Sequence, residues 1–311
     1  MANNFGSRDI RKSGKFALTS AMLSFSSIAT MAYRWRRFCD FLEQEIGYAS
    51  LHEIDRSMVQ RYGVHLYEQC QSGAMSPATA QNYLSAVNRV MEIIRGDRYC
   101  YVSAVHEALI PRRHSIAETN KAISDSEHEN ALQELPQPIA AMICLQRELG
   151  LRFEESAKLH AILALRQAQS DAEIEVVDGT KGGLDRIVPI TNERQMQALR
   201  DAAQVQRGRS MIPAEMSYRQ FREFAYIEAR RAGIRFHGER HWYAQRRYRE
   251  IVGADCPVVS GVSRGNAHIA YLSDKLGVSV DEASKRDRRA REKVSRELGH
   301  SRFSITNNYL G

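Results

Sequence analysis

Leu298-Gly299-His300-Ser301-Arg302-Phe303-Ser304-Ile305-Thr306-Asn307-Asn308-Tyr309-Leu310-Gly311 is the stretch on which the reading of this chain turns. A histidine follows a Leu-Gly pair, and a tyrosine comes nine positions after it. A phenol titrates near ~10, so tyrosine is a poor nucleophile at neutral pH. It attacks phosphorus only where cations neutralise its own charge and that of the phosphate. Such a tyrosine requires arginines, a lysine and histidines converging from elsewhere. Alone, Tyr309 reads as a frayed terminal aromatic, so the rest of the chain decides.

The 311 residues suggest two domains, and a hydrophobic fraction of 43% allows sizeable cores. Lys and Arg number 44 against 37 Asp and Glu, a net charge of +7 that favours an anionic partner weakly. Cysteines at 39, 70, 100, 144 and 256 form no CxxC pair and read as thiols in a reducing compartment. No apolar run approaches the ~20 residues of a membrane span, and no signal peptide opens the chain. The expected place is the bacterial cytosol.

Residues 1–19 are polar and basic and are expected to form a flexible arm. Helical spacing follows at 20–45, with Tyr33, Phe38, Phe41 and Leu42 facing a core. Arg34-Trp35-Arg36-Arg37 within it reads equally as a phosphate grip or as a solvated face with one buried Trp. A second helix covers 56–71, and a third starts with Ser76 as N-cap and Pro77 at its first position. A short fourth helix is expected at 102–109. Residues 20–110 thus read as a small four-helix domain. Residues 111–125, with Arg112 and Arg113, read as a linker.

Helices resume near Ser126, at 139–149 and from about Glu154 to Arg166. The period then changes at Ala172–Val177 and Arg186–Ile190, two strands joined by a Gly-rich turn. Further helices are expected at 191–206, 218–232 and 237–251. Residues 253–280 read as loop with some helix, and 280–298 as a long charged helix. The fold class is mainly α with a small β-hairpin, an α+β architecture. The second domain covers 126–311.

Four stretches carry chemistry. Arg152 follows Gly150 at a helix start, where its planar fork can face a phosphate and Glu155 can brace it. Lys181 sits at the hairpin tip, from which a lysine can reach a bound DNA and protonate a leaving oxygen. His237 and Arg240 share one side of a helical turn, with His241 one turn beyond His237. His300 and Tyr309 complete the set. Each alone has a bland reading: a surface ion pair, a turn lysine, a core histidine. His237 and His241 have zinc-pair spacing but no third ligand motif, so no metal site is expected.

In the order Arg, Lys, His-x-x-Arg, Leu-Gly-His, Tyr, the set resembles the tyrosine recombinases, the phage-integrase-like site-specific recombinases. The resemblance covers about 125–311. The helical region is similar to that family's core-binding domain, with Ser76-Pro77-Ala78-Thr79 typical of its third helix. It implies that Arg152 and Arg240 bind a scissile phosphate and that Lys181 protonates the 5′-oxygen. His237 would assist proton transfer and His300 would hydrogen-bond the phosphate. Tyr309 would form a 3′-phosphotyrosyl link, with Glu155 and His241 in supporting places. No metal, cofactor or ATP is implied. The partners implied are double-stranded DNA, further copies of the chain (a dimer per site, a tetramer in synapsis) and accessory DNA-bending factors. Arg34, Arg36, Arg37, Arg112 and Arg113 are candidate DNA contacts. The alternatives are a non-catalytic DNA-binding protein of the same fold and a relaxing enzyme like the type IB topoisomerases.

Three departures stand out. Glu239 occupies a position usually apolar in the family, and is expected to point outward or to pair with an arginine such as Arg235. His237 and His300 lie 63 positions apart, so an insertion is expected at about 253–290. Only Leu310 and Gly311 follow Tyr309, too few for the tail helix with which many relatives contact a neighbour. Residues 219–249 hold nine arginines and three glutamates, a density that suits phosphate contacts.

Overall fold

The computed structural model describes residues 9–45, 47, 50–113 and 116–311. The chain divides into two compact units, Met1–His114 and Ser115–Gly311. The first contains α1 (Ile10–Ser20), α2 (Phe25–Glu45), α3 (Arg56–Gln71) and α4 (Pro77–Arg95). Asp55 and Ser76 cap α3 and α4 by accepting from Met58 and Thr79 backbone N–H groups. Trp35, Phe38, Leu42, Tyr62, Leu66, Leu84, Val87 and Met91 fill one core.

Three expectations for this unit differ from the structure, the first being Tyr33, expected to face the core with Phe38, Phe41 and Leu42 but exposed on the surface of α2. Within the arm expected over 1–19, Ile10–Ser20 is a helix; residues 1–8 lie outside the described residues. Its buried face is built from Ile10, Ser13, Gly14, Ala17 and Leu18. A Cβ on Gly14 would come within 2.1 Å of the Trp35 ring. Small residues here allow close approach to the indole, whose Nε1 donates to the Ile10 carbonyl at 2.8 Å. Close packing of small side chains leaves little apolar periodicity to read. The helix expected at 102–109 is a series of turns. Asn88 replaces helical partners there, exchanging hydrogen bonds with the backbone of Val102.

The second unit runs α5 (Asp125–Glu134), α6 (Gln137–Leu149), α7 (Phe153–Lys158), α8 (Ala161–Asp171), β1 (Glu173–Val176), β2 (Arg186–Pro189), α9 (Glu193–Val205), α10 (Tyr218–Arg231), α11 (Phe236–Val252), α12 (Pro257–Ser260), α13 (Asn266–Leu276), α14 (Val280–Glu297) and α15 (Asn307–Leu310). The strands pair antiparallel, with Ile174 opposite Val188 and Val176 opposite Arg186. The single helix expected over 154–166 is two, broken at Leu159–His160. Gln206 satisfies the break by accepting from Ala161 N–H and donating to the Leu159 carbonyl.

One apolar core joins α6, α8, α9 and α10 with the inward face of the hairpin. A second gathers Tyr243, Tyr248, Leu272, Ala290, Val294, Leu298, Tyr309 and Leu310. Residues 253–290, expected as an insertion, therefore supply part of the wall around Tyr309. No helix among the described residues is long and apolar enough to cross a membrane.

Candidate active site

The site is assembled at the C-terminal end of α14. The last carbonyls of a helix lack helical partners and carry its negative dipole end, which favours cations. Here arginines fill that role. Arg152 Nη2 donates to the Leu298 carbonyl at 3.1 Å, and Arg240 Nη2 donates to the same oxygen. Arg186 Nε donates to the Glu297 carbonyl at 2.8 Å.

Arg152 owes its place to Gly150, which ends α6 with φ at +63°. A Cβ at Gly150 would lie 2.5 Å from the Tyr243 ring. The chain turns tightly there, and Arg152 becomes the residue before α7. Its backbone N–H and its Nη1 both donate to Glu155, at 2.6 and 2.5 Å. Arg240, one turn into α11, is 1% exposed. Its Nη1 donates to the Gly150 carbonyl and lies 3.9 Å from Glu155. Its Nε donates to the Tyr309 hydroxyl at 3.2 Å.

Tyr309 lies on α15 and is 4% exposed. Its ring sits 4.7 Å from His241, 5.5 Å from His237 and 5.8 Å from His300, measured between ring centres. His300 Nε2 lies 3.4 Å from Arg240 Nη2. Gly299, with φ at +66°, turns the chain from α14 so that His300 faces this cluster. Residues 116–124 tie down α15: Ala117 N–H donates to the Asn307 carbonyl at 2.7 Å, and Gln245 Nε2 donates to both Asn120 Oδ1 and the Tyr309 carbonyl.

The charges are tuned by this packing. Burial, with the Arg240 and Arg152 charges, pushes His300 down to about 3. Burial, with His237, Lys121 and Arg240, holds His241 at about 4. The same cause, with Arg240 and Arg152, lowers His237 toward about 4, although solvent reaches its exposed ring and weakens the effect. These imidazoles are neutral at pH 7, so each can accept a proton on one ring nitrogen and donate from the other. Burial pushes Arg240 down to about 10, with Tyr309 acting against it. Burial also pushes Glu155 up, but the hydrogen bonds and charge of Arg186, with Arg240, outweigh this and set it near 2.

Five of the six expected residues therefore meet: Arg152, His237, Arg240, His300 and Tyr309, with Glu155 and His241 beside them. Lys181 is exposed in the β1–β2 turn and makes no hydrogen bond or ion pair with the cluster. The base of that turn is nonetheless fixed next to it, because Gly179 packs on Glu154 so closely that a Cβ would sit 2.7 Å from its backbone. Among the described residues, no group of three His, Cys, Asp or Glu is placed to hold a metal.

Glu239 takes the second of the two expected arrangements, pairing with an arginine, though not with Arg235. It points inward, fully buried, and pairs with Arg147 at 2.6 Å and His128 at 2.7 Å. Many of the arginines at 219–249 are likewise engaged within the fold. Arg247 pairs with Glu297, Arg246 with Glu148, and Arg249 with Asp255. Of the candidate DNA contacts, Arg36, Arg37, Arg112 and Arg113 are exposed and Arg34 is half-buried; all belong to the first unit.

Arg186 was not among the expected site residues. Its Nη1 and Nη2 donate to the two Glu155 oxygens, each at 2.6 Å, and it is 6% exposed. The available signal was parity. In a strand read Arg186-Ile187-Val188-Pro189, the arginine shares the inward face with Val188. A charge on the buried face of a short strand requires a buried partner.

The integrase family profile matches residues 111–246, a span that includes Arg152, Lys181, His237 and Arg240. No curated protein matches the chain in sequence. Among solved structures, the chain is similar to a lambda integrase dimer bound to a COC′ core site, at 12% identity over 94% of this chain and 74% of that one, with a TM-score of 0.54. It is similar to the Tn1549 transposon integrase in complex with a circular intermediate DNA, at 11% identity over 96% and 95%, with a TM-score of 0.55. A lambda integrase tetramer bound to a Holliday junction aligns at 13% identity over 77% and 72%, with a TM-score of 0.51. Such identities speak for the fold, and the profile speaks for the sequence of the segment that bears the Arg and His-x-x-Arg positions. The chain thus has the fold of these integrases, and its residues 111–246 match the integrase family model.

Proposed function

We propose that this chain is a site-specific DNA recombinase that cleaves and rejoins strands through a 3′-phosphotyrosyl intermediate. One observation carries the reading: the Tyr309 hydroxyl lies against Arg240 Nε at 3.2 Å, inside a cluster that also presents Arg152, His237 and His300. In this reading Tyr309 attacks the scissile phosphorus, and the 5′-oxygen leaves. Arg152 and Arg240 neutralise the equatorial oxygens of the pentacoordinate state, where preorganised donors lower the barrier most. His300 hydrogen-bonds the same phosphate. His237, or His241 beside it, takes the phenolic proton, which a neutral imidazole can do. Lys181 swings in from its turn and protonates the leaving oxygen. The bond energy is kept in the phosphotyrosyl ester, so religation requires no ATP, and protein cations take the place of a metal.

The substrate is duplex DNA. The structural relatives described above, a dimer on a core site and a tetramer on a junction, support assembly of several copies on DNA, and accessory DNA-bending factors belong to the same proposal. The test is a pool of nicked duplexes with randomised sequence around the nick. A nick beside the cleavage point lets the short 5′-product diffuse away and traps the adduct. The expected result is a denaturant-resistant complex whose modified peptide contains Tyr309. Absence of any adduct across the pool would overturn the enzymatic reading. Joining two captured sites into a four-way junction separates recombination from relaxation.

A further inference from the structure

We propose that Arg186 is a positioning residue of this site: it sets the geometry and the charge balance of both phosphate-facing arginines. The inference rests on the strand-cleavage reading for its catalytic part and on geometry alone for the rest. Glu155 is fully buried and touches three arginines: Arg186 bidentately, Arg152 at 2.5 Å, and Arg240 at 3.9 Å. It is the common brace of Arg152 and Arg240. A bare carboxylate in that place would cancel one of the two positive charges the phosphate is meant to meet. The Arg186 fork saturates both oxygens and restores the balance to two net positive charges from three arginines and one glutamate.

Arg186 also fixes the second shared anchor. Its Nε holds the Glu297 carbonyl, one residue from the Leu298 carbonyl to which Arg152 and Arg240 both donate. A Cβ added at Gly299 would lie 2.8 Å from Arg186 Cδ, so the turn that delivers His300 is built directly on this side chain. Finally, Arg186 opens β2, five residues beyond Lys181 on the same hairpin. One side chain thus ties the lysine-bearing turn, the arginine pair and the histidine turn into one frame. Arg186 is also among the charges that lower the His300 pKa.

The test compares the wild type with Arg186→Lys and with the double variant Arg186→Met/Glu155→Gln, which leaves no unpaired buried carboxylate. Two readouts are used. The first needs no DNA: the His300 ring is titrated by NMR and assigned with His300→Gln. Its midpoint should rise in Arg186→Lys, whose charge is displaced, and move less in the double variant, which removes one charge of each sign. The second is single-turnover cleavage of a nicked duplex captured from the pool. The rate should fall about 100-fold, the scale of losing one preorganised donor, while binding changes less than about 3-fold. Wild-type cleavage by the folded double variant, together with an unmoved His300 in Arg186→Lys, would overturn the role of Arg186. Wild-type protein that forms no adduct would instead overturn the strand-cleavage reading, with the NMR titration still deciding whether Arg186 sets the charge of the site.

Discussion

Arg147 Nη1 donates to Glu239 Oε2 at 2.6 Å, with both side chains shielded from water. Glu239 directly precedes Arg240 in the first turns of α11, while Arg147 lies on α6 and His128, its other partner, on α5. The ion pair therefore ties the helix that carries His237 and Arg240 to two neighbours. The Trp242 ring lies 3.8 Å from the Arg147 guanidinium and covers it. Removing one partner of such a pair leaves a buried charge without compensation. Glu239→Ala should cost about 3–5 kcal/mol of stability in urea unfolding. A cost below about 1 kcal/mol would show that water or Asp125 takes over.

Histidines held neutral make the fold sensitive to acid. Unfolded, a histidine titrates near ~6.5; folded, His241 and His300 titrate at about 4 and about 3. Between those values the unfolded chain binds more protons, so stability rises with pH through this window and levels off above it. Glu155, depressed to about 2, adds stability above its ordinary 4.5 that is lost as pH falls further. The melting temperature should therefore drop steadily from pH 7 to pH 4. His241→Asn should flatten the upper part of that slope, and an unchanged profile would contradict the assigned environment.

The segment after Arg113 is fastened at several points. Ala117 N–H reaches Asn307, Gln245 bridges Asn120 to Tyr309, and Ile123 N–H reaches the Gly238 carbonyl. Trypsin needs local opening of the backbone it cuts. First cleavage of the free protein is expected after Arg112 or Arg113, with Lys121 protected. Mass spectrometry of the early fragments checks this; an early cut after Lys121 would mean that the strap to the Tyr309 helix opens readily.

Much of this site was legible, and what was not has a physical reason. Arg152, His237, Arg240, His300 and Tyr309 are readable as an ordered set, since each has a bland reading alone and only their order along the chain carries the family resemblance. Arg186 and Glu239 are not, because their roles depend on partners 31 and 92 positions away in sequence, Glu155 and Arg147. Buried ion pairs leave no periodic trace. Helix α1 was hidden for a different reason: between Ile10 and Leu18 its buried face consists of Ser13, Gly14 and Ala17, small residues that hydrophobic spacing weighs little. The hairpin was readable from alternation, and its inward arginine was the sign left unused.

Arg152 and Arg240 should matter to chemistry far more than to binding. On the proposed mechanism, Arg152→Ala leaves the other contacts to DNA unchanged but removes a fork that acts on charge developing in the transition state. Cleavage in a single turnover should fall about 100-fold or more, against a loss of binding under about 10-fold in gel-shift titration. Equal losses in both would assign Arg152 to ordinary DNA affinity.

The most direct measurement concerns one oxygen. Tyr309→Phe retains the ring that packs on His237, His241 and His300 and deletes only the hydroxyl that meets Arg240. Wild type and variant are incubated with the same nicked duplex, and the products are resolved under denaturing conditions. The account predicts equal binding, a covalent protein–DNA adduct with wild type, and none with Tyr309→Phe. A covalent adduct formed by the phenylalanine variant would contradict it.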